Sequence, residues 1–105
     1  MKNILLLTSN RYLKNKNCLN LIKYLNKKRI QFQHIDINID IEEFKNVKYN
    51  SNSLVLSFGG DGTALKAMKL GWKYNLEVLS FGPGRVGYLV RPLNEFSDLI
   101  DQWKN

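Results

Sequence analysis

Short apolar runs bounded by polar or glycine-rich stretches alternate along the chain with segments whose apolar residues repeat at helical spacing. Asn3 to Ser9 encloses Ile-Leu-Leu-Leu between polar ends, the pattern of a strand buried on both faces. From about Lys14 to Arg29, residues Cys18, Leu21, Ile22 and Leu25 fall at i, i+3, i+4 and i+7 while lysines and asparagines fill the other side, which predicts an amphipathic helix. Ile30, Phe32 and His34 alternate with Gln31 and Gln33, so a second strand is expected over 30–37, with His34 simply carried on it. Residues 40–47 predict a short helix, and Asn50-Ser51-Asn52-Ser53 a polar loop. Leu54 to Phe58 is the clearest strand. It runs into Gly59-Gly60-Asp61-Gly62-Thr63, after which Ala64, Leu65, Ala67, Met68 and Leu70 predict a helix closed near Gly71. Glu77 to Phe81 predicts a fourth strand, Gly82 to Gly87 a second glycine-rich segment, and Tyr88 to Val90 extended chain. A final helix is expected over roughly 94–103, with Asn94 as N-cap and Glu95 and Asp98 near its positive end. No internal repeat or domain-sized linker interrupts this order. Residues 1–105 are therefore expected to form a single α/β domain, a mostly parallel sheet of about four strands flanked by helices.

Composition supports a folded core: Leu, Ile, Val and Phe supply 34 of 105 residues, above the range of disordered chains. The net charge of +7 raises nucleic acid as a partner, but its distribution argues otherwise. Residues 1–30 carry eight bases and no acid, while the remainder nets −1, so the basicity belongs to one segment and is expected to be a solvated helix face. Neither a nucleic-acid nor a membrane partner is expected. Cys18 is the only cysteine and lies on the apolar stripe of the first helix, so a buried structural thiol is expected and a disulfide framework is excluded. With one His and one Cys, zinc chemistry has no ligand set. No apolar stretch approaches the roughly eighteen residues of a membrane span, and a cytoplasmic protein is expected.

The glycine turn after the third strand carries the candidate chemistry. Ligands of open α/β sheets bind beyond the carboxyl ends of the strands, where Leu54 to Phe58 delivers Gly59 to Thr63. Glycines there remove every Cβ that would hold a phosphate away from the backbone N–H groups, and the following helix adds its dipole. Asp61 is the odd member of such a cradle: a carboxylate repels phosphate unless it binds a cation or takes a proton during reaction, which points to phosphoryl chemistry rather than passive binding. An Asp-Gly turn without a ligand is the alternative.

The run Leu54-Val55-Leu56-Ser57-Phe58-Gly59-Gly60-Asp61-Gly62-Thr63 resembles the Gly-Gly-Asp-Gly-Thr signature of the NAD kinase and diacylglycerol kinase superfamily. Ser80-Phe81-Gly82-Pro83-Gly84-Arg85-Val86-Gly87-Tyr88-Leu89 resembles the NAD kinase pattern Gly-Ile/Val-Asn-x-Gly-x-Leu-Gly-Phe-Leu, whereas the Pro-x-Gly-Thr-x-Asn segment usual in lipid kinases does not occur. The resemblance, specific over about residues 54–90, implies a Rossmann-like NAD kinase N-terminal domain. It implies ATP-dependent phosphorylation of the 2′-hydroxyl of the adenosine ribose of NAD, giving NADP, with Mg²⁺ or another divalent cation. By position, Asp61 would act on that hydroxyl. Gly59, Gly60, Gly62, Thr63, Lys66, Gly84, Gly87 and Tyr88 would contact nucleotide, Tyr88 by stacking on a base. Gly82 and Ser80 depart from the family's usual Asn and Gly. The family also continues into a mostly β domain with an Asn-Glu or Asn-Asp motif, absent from this sequence; Asn94-Glu95, only six residues after Tyr88, is not that motif.

Two functions therefore stand side by side: an NAD kinase, working as a homo-oligomer or with a second NAD kinase-like chain, and an inactive or split nucleotide-binding module that needs a partner chain. Gly82-Pro83-Gly84-Arg85-Val86-Gly87 also satisfies the dinucleotide-binding fingerprint G-x-G-x-x-G. Its third glycine should open a helix, yet Pro92 follows within five residues and Tyr88, Leu89 and Val90 favour extended chain. A Walker A loop is excluded because no Gly-Lys-Ser/Thr occurs.

Overall fold

The computed structural model describes residues 2–38, 48–82 and 89–105. Strand β1 (Asn3–Thr8) leads through a short 3₁₀ turn (Asn10–Tyr12) into helix α1 (Lys16–Lys27), followed by β2 (Gln31–Asp36). Strand β3 (Leu54–Phe58), helix α2 (Asp61–Tyr74) and β4 (Glu77–Phe81) form the second βαβ unit, and a 3₁₀ turn (Leu93–Glu95) opens α3 (Phe96–Lys104). The strands form one sheet in the order β2-β1-β3-β4, and every pairing is parallel. The expected α/β class and four-stranded parallel sheet are thus observed. The helix expected over 40–47 lies outside the described residues.

Both faces of the sheet are covered, as an all-parallel sheet requires. Ile4 and Leu6 of β1 and Leu54, Leu56 and Phe58 of β3 pack with Cys18, Leu21 and Leu25 of α1 and Phe96 and Ile100 of α3. The alternate residues Leu5, Leu7 and Val55 pack with Ala67 and Leu70 of α2. Cys18 is fully buried, as its place on the stripe predicts, and burial pushes its thiol pKa up.

Four helix boundaries differ from expectation. Helix α1 begins at Lys16 because Asn15 caps it, its Oδ1 accepting from the N–H of Asn17 (2.9 Å) and Cys18 (3.4 Å). Helix α2 starts at Asp61 rather than near Ala64 and passes through Gly71 to Tyr74. Gly71 is a packing glycine: a Cβ there would lie 2.3 Å from Val78 Cγ2 and 2.9 Å from the Leu76 carbonyl. The helix stops at Asn75, whose left-handed conformation (φ 56°) suits Asn, and its N–H donates to Gly71 O. Asn94 does not cap α3; it lies inside the 3₁₀ turn behind Pro92, and no side chain caps either element.

The basic segment is partly structural rather than simply solvated. The Lys2 ammonium donates to the carbonyls of Trp103 and Lys104 at the end of α3, and Lys104 donates to Lys28 O just beyond α1 (2.9 Å). Cations satisfy the free carbonyls at both helix ends. Among the described residues, no helix is long and apolar enough to cross a membrane.

Candidate functional site

The sheet order creates a switch point: α1 leaves β1 on one face, α2 leaves β3 on the other, and the two strands are neighbours. Their carboxyl ends are tied together. Thr8 Oγ1 donates to Phe58 O (2.7 Å), and Ile37 N–H, just after β2, donates to Thr8 O (3.2 Å). Above this floor opens a pocket of about 510 Å³, lined by Ser9, Arg11 and Tyr12 after β1, Ile37 and Asn38 after β2, and Gly60, Gly62, Thr63 and Lys66 at the start of α2. A pocket of about 550 Å³ lies elsewhere, among Lys2, the 51–53 turn, β4 and α3, against the amino-terminal start of β4 and away from the switch point.

The glycines of the turn divide into two kinds. Gly59 is buried, its N–H donates to Phe81 O (3.0 Å), and a Cβ on it would lie 2.6 Å from Thr63 Oγ1. The sheet uses its N–H, and its missing side chain makes room for Thr63. Gly60 and Gly62 are exposed, and a Cβ on either would meet nothing within 4 Å. Gly60 has extended backbone angles open to any residue, and Gly62 is helical. Nothing in the described chain demands glycine at these two positions, and glycine in a helix costs up to about 1 kcal/mol relative to alanine. What they provide is bare backbone facing the pocket at an uncapped helix start. Ala64 N–H is bonded to Gly60 O (3.1 Å), whereas N–H groups ahead of it in the first turn have no acceptor within the helix.

Cations border this opening. Lys66 reaches across it, its Nζ donating to Ile37 O (2.7 Å), and Arg11 lies over the Tyr12 ring (5.2 Å to the centroid). Tyr12 is held edge-on against Phe58 at the end of β3 (5.9 Å). The arrangement, two cations with a helix N-terminus, suits an anion. Asp61 is half-buried at the first position of α2, where a carboxylate is favourable beside the helix start, and its Oδ1 accepts from Leu89 N–H (3.0 Å). The acid therefore anchors the chain returning from the second glycine-rich segment while it stands beside the pocket's glycines.

Of the residues the sequence singled out, Gly60, Gly62, Thr63 and Lys66 line one pocket and Asp61 adjoins it. Gly84, Gly87 and Tyr88 lie outside the described residues. Pairing after them is seen at Arg91, which bridges to Phe81. Sequence reasoning missed Ser9, Arg11, Tyr12 and Asn38, because only the strand order shows which loops meet. Bare backbone fits the phosphates of a nucleotide, and with them a Mg²⁺ ion that takes its ligands from phosphate and water. Among the described residues, no group of three or more His, Cys, Asp or Glu side chains could hold a metal unaided.

Comparison with curated proteins returns no match. Among solved structures, a de novo designed Rossmann 2x2 fold protein determined by solution NMR is similar at 20% identity and a TM-score of 0.60, with 98% of this chain and 87% of that one covered; at that identity the likeness concerns the fold alone. The family model for the ATP-NAD kinase N-terminal domain matches residues 2–105, nearly the whole sequence, and the chain belongs to that family.

Proposed function

We propose that this chain is the nucleotide-binding part of an NAD kinase and that Asp61 is its proton acceptor. Family membership supports a nucleotide-kinase-like function. The observation that carries the specific proposal is the open start of α2: two glycines that the described chain does not need, an uncapped helix N-terminus, and a carboxylate one residue from each of them.

In the proposed reaction the phosphates of ATP lie against Gly60, Gly62 and the helix start, with Arg11 and Lys66 balancing their charge. Lys66 would exchange Ile37 O for a phosphate oxygen, a stronger, charge-assisted partner. The adenosine ribose of NAD presents its 2′-hydroxyl to Asp61. As the hydroxyl oxygen bonds to the γ-phosphorus, its proton passes to the carboxylate, and the bond from phosphorus to the β,γ-bridging oxygen breaks to release ADP. Mg²⁺, when bound, offsets charge on the phosphates. A base so placed contributes about 10²- to 10⁴-fold in rate.

The test is NADP formation from ATP, Mg²⁺ and NAD, read by a coupled NADP-specific dehydrogenase, alongside nucleotide binding by calorimetry. Asp61→Asn is expected to cut turnover by about 10²-fold or more while nucleotide affinity changes less than about tenfold. Turnover that survives in Asp61→Asn would overturn the role of Asp61. Nucleotide binding without turnover would instead identify a binding module that requires a partner chain.

A further inference from the structure

On the side of α2 away from the sheet, Leu65, Met68 and Trp72 fall at i, i+3 and i+7 and form one exposed stripe, with Trp72 89% exposed and Leu65 and Met68 each 46%. Exposed tryptophan is costly to solvate, and the stripe continues into a concave groove of about 440 Å³ between α2 and β4, lined by Met68, Trp72, Val78, Leu79, Leu89 and Arg91. A second exposed row, Lys66, Lys69 and Lys73, runs beside it at the same spacing. Asp61, at the helix start, is the only acid in α2. We infer that this face is a docking surface for a short helix of another polypeptide, one that places apolar side chains on the Trp72 stripe and in the groove and carboxylates against Lys69 and Lys73.

Charge and shape select this occupant. Were a second copy seated antiparallel on the same face, the two lysine rows would oppose each other, and seated parallel each row would find no carboxylate to pair with, since α2 carries none beyond Asp61 at its start. A lipid surface would accept a lysine-flanked apolar stripe, but it is flat on this scale and leaves the groove beside β4 unfilled. The exposed apolar side chains amount to roughly 400 Å², about half of what one partner buries in a standard protein–protein interface. From Leu65 to Trp72 the stripe rises about 10 Å, two turns, which suits apolar anchors at i, i+3 or i+4 and i+7 of a docked helix.

The test is selection of a phage-displayed library of helical peptides, randomised at the exposed positions, against the immobilised full chain, with Trp72→Ala as counter-target. Trp72 is so exposed that the variant should fold; its melting temperature checks this. Expected winners carry apolar anchors flanked on one side by Asp or Glu, lose at least about tenfold in affinity to Trp72→Ala, and lose a similar factor to the double variant K69E/K73E, which should favour Lys-flanked versions of the same peptides. Winners without an acidic flank, or no Trp72-dependent winner at all, overturn the inference. So do a concentration-dependent dimer lost in Trp72→Ala, which assigns the face to a second copy, and Trp72-dependent binding to phosphatidylserine vesicles, which assigns it to membrane.

Discussion

Replacing Gly62 with alanine separates a glycine kept for a ligand from one kept for the fold. Gly62 is the second residue of α2, helical in conformation, exposed, and surrounded by empty space where a Cβ would project. In a helix interior alanine is favoured over glycine by about 1 kcal/mol. In the first turn, where fewer hydrogen bonds fix the residue, roughly half of that is expected, in line with the loss of unfolded-state entropy when glycine becomes alanine at a compatible site. Gly62→Ala should therefore stabilise the chain by about 0.5 kcal/mol and raise the melting temperature by roughly 2–4 °C for a domain of this size. The same methyl group stands where a phosphate must approach the backbone. Displacing the phosphate sacrifices charge-assisted hydrogen bonds worth about 1.5–3 kcal/mol, a loss of roughly ten- to a hundredfold in affinity. Circular dichroism melting and calorimetric titration with ATP and Mg²⁺ read the two effects separately. A variant that melts higher yet binds ATP as well as the parent would refute the assignment of this bend to phosphate, and one that melts lower would refute the account of its backbone.

Gly71→Ala should behave in the opposite way, because its Cβ would collide with Val78 Cγ2 and the Leu76 carbonyl; a destabilisation of about 2 kcal/mol and a melting point lower by roughly 8–16 °C are expected, partly relieved in G71A/V78A. The Tyr24 hydroxyl donates to Asp101 Oδ1 (2.6 Å) across the α1–α3 contact, and this bond, with burial, pushes its pKa up to about 12. The folded state holds the proton more tightly than the unfolded chain, so the contribution is complete below the ordinary tyrosine pKa of 10.0 and is lost as the pH rises toward about 12. Tyr24→Phe should cost about 1 kcal/mol at neutral pH, and the gap between the two melting curves should close over that alkaline window. Ser57 Oγ is fully buried in β3 with no hydrogen-bond partner among the described residues, so Ser57→Ala should leave stability unchanged or raise it by up to about 1 kcal/mol in chemical denaturation.

Much of the frame was legible because the local signals agree with the fold. Leu54 to Phe58 followed by a glycine bend and helical spacing reads as strand, turn and helix, and the chain folds so. The misplaced boundaries of α2 share one cause. Glycine reads as a breaker at 60–62 and at 71, but an uncapped N-terminus accepts glycine and aspartate in its first positions, and Gly71 serves close contact with β4 rather than backbone freedom. The true stop, Asn75, carries a weaker signal, since asparagine adopts the left-handed conformation only where the chain turns. The charge of the first thirty residues likewise reads from sequence as one solvated helix face. The fold distributes it to different tasks, with Lys2 on the end of α3 and Arg11 beside the pocket.

The half of the site missed by sequence reasoning follows from topology. Ser9 and Arg11 are about fifty residues from Gly60 and Gly62, and no local pattern connects them. They meet because β1 and β3 are hydrogen-bonded neighbours while β2 is carried to the far side of β1, so the loops after β1 and β3 share one rim. That rim is rigid at its base, where Thr8 Oγ1 is bonded to Phe58 O, and bare at its top, where Gly60 and Gly62 offer no side chain. Rigidity below and bareness above are what a phosphate site requires: the N–H groups stay aimed while the ligand comes close. Removing the lower contact should therefore loosen nucleotide binding without touching the ligand. In Thr8→Val, which retains most of the volume but loses the hydroxyl, loss of the buried hydrogen bond to Phe58 O should cost about 1–2 kcal/mol of stability. ATP affinity should fall severalfold at a temperature well below melting. If affinity is unchanged while stability drops, the two strand ends hold the fold together but do not position the site.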